Sequence, residues 1–179
     1  MANGKAEQKG LNLEQWHKNV IECLKQNKTL KTVEDYPREK KKIIGPAAFL
    51  ELTAIQFSND DNPGTDQLAA TLEAEVRVII GYRTKDAKRT IRLLAATIAH
   101  QLENERFGLT AQPARVGGCW PDEFDTELDQ YEVWRIVFTQ DVLLGDSSFD
   151  DSGVIPETLY VGYSPETGIP HEDDYQELT

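Results

Sequence analysis

No stretch of this 179-residue chain approaches the roughly 18 consecutive apolar residues that a membrane helix requires, so no helical span is expected. Residues 1–10 are polar and contain no apolar secretory core, and the reading is of a soluble protein made in a cytoplasm. Cysteine is scarce: the 2 present, Cys23 and Cys119, could form one disulfide, but nothing suggests an oxidising compartment or a disulfide framework, and idle or buried thiols are expected. The 3 histidines, His17, His100 and His171, lie far apart and lack Cys/His metal spacing. There is no Gly-rich phosphate loop, no Ser nucleophile elbow and no paired metal-ligand motif. These absences leave enzymatic chemistry without residues to carry it, so a non-enzyme that uses no cofactor and no metal is expected.

Basic residues are missing from one whole segment. All 19 Lys and Arg fall in residues 1–145, against 22 of the 31 acids, while residues 146–179 hold the other 9 acids and no Lys or Arg. The net charge of −12 is therefore concentrated in the tail. Such a tail repels nucleic acid and is either solvated or docked on a basic surface. Because Ile155, Leu159, Tyr160, Val161, Tyr163 and Tyr175 interrupt it, it is more apolar than a solubilising tail, and an arm lying on the domain or on a neighbour is expected. The division is into a domain over residues 1–145 and an acidic C-terminal arm over residues 146–179.

What is present is a switch of hydrophobic period. Ala70, Leu72, Ala74, Val76, Val78, Ile80 and Tyr82 alternate with mostly polar residues, which is a strand with one dry face. From Ala87 the apolar set becomes Ala87, Ile91, Leu94, Ala95, Ile98, Ala99 and Leu102, one stripe of a helix. Thr84 is expected to cap that helix and Gly108 to stop it. An earlier stripe of Leu13, Trp16, Val20, Ile21 and Leu24 predicts a first helix over residues 12–27. Residues 28–42, basic and polar, read as a loop or the start of a short strand.

The stretch 49–57 predicts a strand with Phe49, Ile55 and Phe57 on one face and Leu50, Leu52 and Ala54 on the other. Residues 58–66 supply turn chemistry, so this strand should pair antiparallel with the alternating one. Residues 113–119 predict a short strand in which Gly117 and Gly118 mark a bulge or the strand end, and residues 120–130 an acidic connector. Residues 131–144 predict a last long strand, with Trp134, Ile136, Phe138, Val142 and Leu144 sharing a face. Trp134, Phe138, Ile91 and Leu94 are assigned to the core. The fold class is α+β: a mostly antiparallel sheet of about four strands covered by two helices, with a C-terminal extended arm.

The carboxylates Asp122, Glu123, Asp125, Glu127 and Asp129 lack the glycine and terminal glutamate of a calcium loop and read as a solvated connector. His171 beside Glu172, Asp173 and Asp174 is a weak metal pattern. Lys85, Lys88, Arg89 and Arg92 read as the wet side of the second helix, and sequence-specific nucleic-acid binding is not expected.

The order helix, two antiparallel strands, helix and further strands is one part of a wider likeness. With it go the strand over residues 68–81, the helix over residues 86–108, and the stretch Pro121, Asp122, Glu123, Phe124, Asp125 through Leu128, Asp129, Gln130, Tyr131, Glu132, Val133, Trp134 and Arg135. Together they resemble the tail terminator (tail completion) family of long-tailed bacteriophages and prophages. The resemblance covers roughly residues 45–145, and residues 162–175 look like arms of such proteins.

It implies a homo-oligomeric ring, commonly a hexamer, that caps the head-proximal end of the tail tube. There it ends tube polymerisation and offers a surface to the neck or head-completion protein. It also implies a place in the virion tail or neck after assembly in the host bacterial cytoplasm. An arm longer than a minimal terminator needs adds the tail sheath as a further partner. Within that resemblance, Glu75, Arg77, Arg83 and Arg135 are candidates for intersubunit ion pairs. Lys40, Lys41 and Lys42 are candidates for contact with acidic segments, and Tyr160 and Tyr163 for contacts of the arm. The alternative is a head-completion or neck adaptor (stopper) protein; a small metal-dependent hydrolase is a distant third.

Overall fold

The computed structural model describes residues 10–35, 43–58, 64–122, 131–148 and 158–177. They fall in two units, residues 1–148 and 149–179, where the sequence suggests a boundary after residue 145. The first unit runs α1 (Leu13–Lys25), β1 (Thr32–Asp35), β2 (Ala47–Phe57), β3 (Leu68–Gly81), α2 (Ala87–Leu102), β4 (Arg115–Pro121) and β5 (Tyr131–Leu144). Its five strands form one sheet in the order β1-β2-β3-β5-β4. All neighbours are antiparallel except β1, which runs parallel to β2. The class is α+β.

Both helices pack on one face of the sheet, and the period of each element explains why. Every second residue of β3 from Ala70 to Ile80 is buried with Ile136, Phe138 and Val142 of β5. The stripes Trp16, Val20, Cys23, Leu24 of α1 and Ala87, Ile91, Leu94, Ala95, Ile98, Leu102 of α2 close over them. At the centre the Trp16 ring stacks on Phe138 at 6.2 Å, and Phe107 meets Phe138 edge-on at 6.2 Å. Trp134, expected in the core, is only partly buried at its margin.

A polar relay runs through this core. Trp16 Nε1 donates to Gln140 Oε1 at 2.6 Å, and Gln140 Nε2 donates to the Gln112 carbonyl at 2.7 Å. Trp16 is 0% and Gln140 1% exposed, so water cannot substitute for either bond. Asn19 Nδ2 reaches the Phe107 carbonyl at 2.7 Å, and Arg106 Nη1 the Ala111 carbonyl at 2.7 Å, fixing the segment between α2 and β4.

Several expectations need correction. A bulge between Leu52 and Ala54 reverses the alternation of β2, so Ile55 joins Ala48, Leu50 and Leu52 on the helix side. Phe49 alone of its expected trio faces the other way with Ala47, and Phe57 is 60% exposed. Residues 28–42, read as a loop or the start of a short strand, contain β1, which adds a fifth strand to the four expected. Thr84 does not cap α2: it sits in the preceding turn, and Asp86 occupies the cap position in left-handed geometry (φ 53°) without a side-chain bond. Helix α2 stops at Leu102, where Glu103 turns extended, and Gly108 lies in a later turn. Trp120 and Pro121 belong to β4 rather than to a connector, and Gly117 is the bulged residue between Val116 and Gly118. Residues 123–130 lie outside the described residues.

The second unit pairs β6 (Tyr160–Val161) antiparallel with β7 (Gln176–Glu177) around a 3-10 helix, Ile169–Asp174. Tyr175 organises it: its ring lies against Gly162, where an added Cβ would meet Cε1 at 2.8 Å, and its hydroxyl accepts from Gly168 N–H at 2.8 Å.

The two thiols are free and differ in environment, which yields a direct check. Cys23 is buried, and burial raises its thiol above the ordinary value, the charge of Glu105 adding to the rise and a bond from Gln101 opposing it. Cys119 is half-buried. Under native conditions a disulfide thiol reagent is expected to modify Cys119 and to spare Cys23 until denaturant is added. Because folded Cys23 holds its proton more tightly than the unfolded chain, its contribution to stability is intact below the ordinary thiol range. It is lost as pH rises through that range towards the raised value.

Candidate interaction surface

The face of the sheet away from the helices carries the charged positions of the alternating strands. Register brings like charges opposite each other, Glu51 against Glu75 and Arg77 against Arg135, a pairing that repels on its own. Diagonal contacts resolve it. Arg77 Nη1 donates to Glu51 Oε2 at 2.5 Å, Nε to Asp122 Oδ2 at 3.1 Å and Nη2 to Glu75 Oε2 at 3.3 Å; Arg135 Nη1 donates to the other Glu75 oxygen at 3.3 Å. The side chains of Arg77, Glu75 and Asp122 are 19%, 13% and 14% exposed, those of Arg135 and Glu51 42% and 40%. The guanidinium of Arg77 thus sits in a ring of carboxylates drawn from β2, β3 and the residue that follows β4.

On one side of the network an apolar quartet, Ala47, Phe49, Ile79 and Val133, is buried with Ile43 and Tyr131 packed on it. On the other, Trp120 is 46% exposed and pairs in register with Arg135. Its indole lies over Gly118, where an added Cβ would stand 2.9 Å from Cζ2, and Gly118 has φ 151°. Gly118→Ala is therefore expected to push the indole off the sheet and cost about 1–3 kcal/mol through overpacking and backbone strain. A shifted tryptophan emission maximum and a lowered urea midpoint would report it; an unchanged spectrum would contradict this placement.

Of the residues singled out in the sequence, Glu75, Arg77 and Arg135 are brought together and bonded within one chain. Arg83 is not with them. It lies in the turn after β3, its Nε donating to Tyr82 Oη at 3.2 Å and its guanidinium 5.7 Å from the Tyr82 ring centre. Tyr160 and Tyr163 belong to the second unit and are 59% and 69% exposed. Lys40, Lys41 and Lys42 lie outside the described residues. Sequence reading missed Asp122 and Glu51 as partners of Arg77, for no local pattern links residues so far apart in the chain.

The described residues contain no cluster of His, Cys, Asp and Glu able to hold a metal, and no helix among them is long and apolar enough to cross a membrane. His171 Nδ1 is 3.1 Å from Asp174 Oδ2, a local pair in the 3-10 helix. Chemically, the Arg77 network locks strand register and presents a polar face. It positions no nucleophile beside a base, the pairing that covalent catalysis requires. No protein-family model matches the chain, and no curated protein matches it.

Proposed function

We propose that this chain is a structural virion protein of the tail-terminator kind, which forms a ring on the head-proximal end of a phage tail tube, ends tube growth and joins tail to neck. The observation that carries the reading is the two-layer architecture, whose element order follows that of the resemblance apart from the added short strand β1. Among the described residues helices cover one sheet face, and the other bears the Arg77 network, which includes half-exposed Arg135, with exposed Trp120 beside it. Strand β1 pairs only with Ala47 to Leu50, so among the described residues the rest of β2 has no partner on that side, and β4 borders the sheet opposite. Exposed edges and a ready-made polar face suit contacts between neighbours rather than turnover.

On this reading the partners are further copies of the chain, the tail-tube protein, the neck protein and, in a contractile tail, the sheath. Tail-tube protein polymerised with increasing amounts of the chain is expected to give progressively shorter tubes with a cap at one end. Tubes of undiminished length would overturn the proposal, and binding to the portal end of filled heads instead would move the assignment to a neck adaptor.

A further inference from the structure

The outward side of α2 carries exposed Lys88, Arg89 and Arg92, with exposed Arg83 and Lys85 in the turn before it, and the helix contains no acidic residue. Among the described residues none of these five cations has an ion-pair partner. Exposed Leu93 (60%) and Tyr82 (50%) lie on the same stretch. Cations gathered in the first turns of a helix oppose its dipole, so the arrangement gains an isolated subunit nothing and suits a negatively charged partner.

The C-terminal unit has the matching chemistry. Residues 146–179 contain 9 acids and no Lys or Arg. In its described part Glu166, Glu172, Asp173 and Asp174 are exposed beside exposed Leu159, Tyr160, Tyr163 and Ile169. Apart from Asp86 at the cap of α2, each surface therefore carries charge of one sign beside exposed apolar side chains, and the signs are opposite.

We infer that the basic face of α2 is the docking surface for the acidic C-terminal unit of a second copy of this chain. Two different surfaces meeting head to tail make a heterologous contact, which repeats from copy to copy until it closes into a ring. The inference rests on the self-associating part of the proposed function and adds which surfaces meet. It also gives Arg83, Tyr160 and Tyr163 a place between subunits, while Glu75, Arg77 and Arg135 are bonded within one.

The test uses equal amounts of light and ¹⁵N-labelled full-length chain, mixed at low salt, coupled with a carbodiimide that joins lysine to a touching carboxylate, and read by mass spectrometry. Lys85 or Lys88 is expected to be linked to Glu172, Asp173 or Asp174, in isotopically mixed pairs at the frequency of random partnering. Lys88→Glu with Arg92→Glu should abolish these links and lower the oligomer mass, and mixing that variant with Glu172→Lys/Asp173→Lys should restore both.

At a dilution where both chains are dissociated, the unfolding midpoint of the Lys88→Glu/Arg92→Glu chain should match or exceed that of the wild type, since acids suit that end of the helix, which separates lost docking from lost folding. Links confined to one isotope, meaning the arm folds back on its own domain, would overturn the inference. So would the absence of such links, or retention of duplex DNA by the same cations. Unchanged oligomer mass in the reversed chain would sink this surface and leave the ring standing, whereas a monomeric wild type would sink the self-association itself.

Discussion

Trp16→Ala is expected to destabilise the protein by roughly 4–8 kcal/mol, a large part of the 5–15 kcal/mol that holds a typical domain together. Truncating a wholly buried indole costs about 3–5 kcal/mol through lost transfer energy and the cavity left between α1 and β5. The remainder comes from Gln140. Its Oε1 loses its only donor among the described residues at a site with 1% exposure, and an orphaned buried acceptor costs about 1–3 kcal/mol.

Two further variants separate these contributions. Trp16→Phe keeps most of the ring and removes the N–H, so about 1–3 kcal/mol should be lost. Gln140→Leu removes both bonds of the relay and leaves Trp16 Nε1 as a buried orphan donor, while the carbonyl of exposed Gln112 can turn to water, and should cost about 1–3 kcal/mol. Urea unfolding at fixed protomer concentration measures all three, because self-association would otherwise make stability depend on concentration. Equal losses in Trp16→Phe and Trp16→Ala would contradict the cavity argument.

Arg77→Met carries the second large expected effect, about 2–4 kcal/mol. Breaking a buried ion pair from one side costs about 3–5 kcal/mol because the partner charge stays desolvated, and here solvent reaching Glu51 trims the figure. Without the guanidinium, Glu51, Glu75 and Asp122 face one another with Arg135 as the remaining cation bonded to the group. Arg77→Lys should fall between, since a single ammonium cannot reproduce a fork that reaches three carboxylates. Adding Glu75→Gln to Arg77→Met should recover part of the loss. No recovery in that double variant, measured by thermal and urea unfolding, would show that the network contributes through packing rather than charge.

The architecture was legible where a period was long and clean. Alternation over β3 and β5 and the stripes of α1 and α2 identify which faces become core, because a strand turns successive side chains to opposite faces and a helix repeats every 3.6 residues. Irregularities were legible only where glycine marks them, as at Gly117 and Gly118, whose reading as a bulge or strand end includes the bulge of β4. The bulge at Leu52/Ala54 moves Ile55 across the sheet without any glycine or proline to announce it. Thr-Val-Glu-Asp of β1 is too short to show a period and forms by pairing with β2, a contact set by tertiary structure.

At α2 the usual capping chemistry pointed to Thr84, while the turn Gly81–Thr84–Ala87 takes the backbone bonds and leaves Asp86 at the cap. Gln140, a lone amide within the apolar face of β5, was the visible signal of the Trp16 relay. Its partner could not be named, since residues 16 and 140 meet only once α1 lies on the sheet. The same holds for the charged face. Alternation exposed Glu75, Arg77 and Arg135 as polar positions, and only register showed that they satisfy one another.

The most direct test of the central claim is the mass of the purified full-length chain, 20.2 kDa per copy, measured by light scattering over a wide concentration range. A closed head-to-tail ring has no free surface left to extend, so the account predicts a mass that rises to one plateau, six chains by the resemblance, and goes no further. A mass of one chain at every concentration, or growth without a plateau, would contradict it.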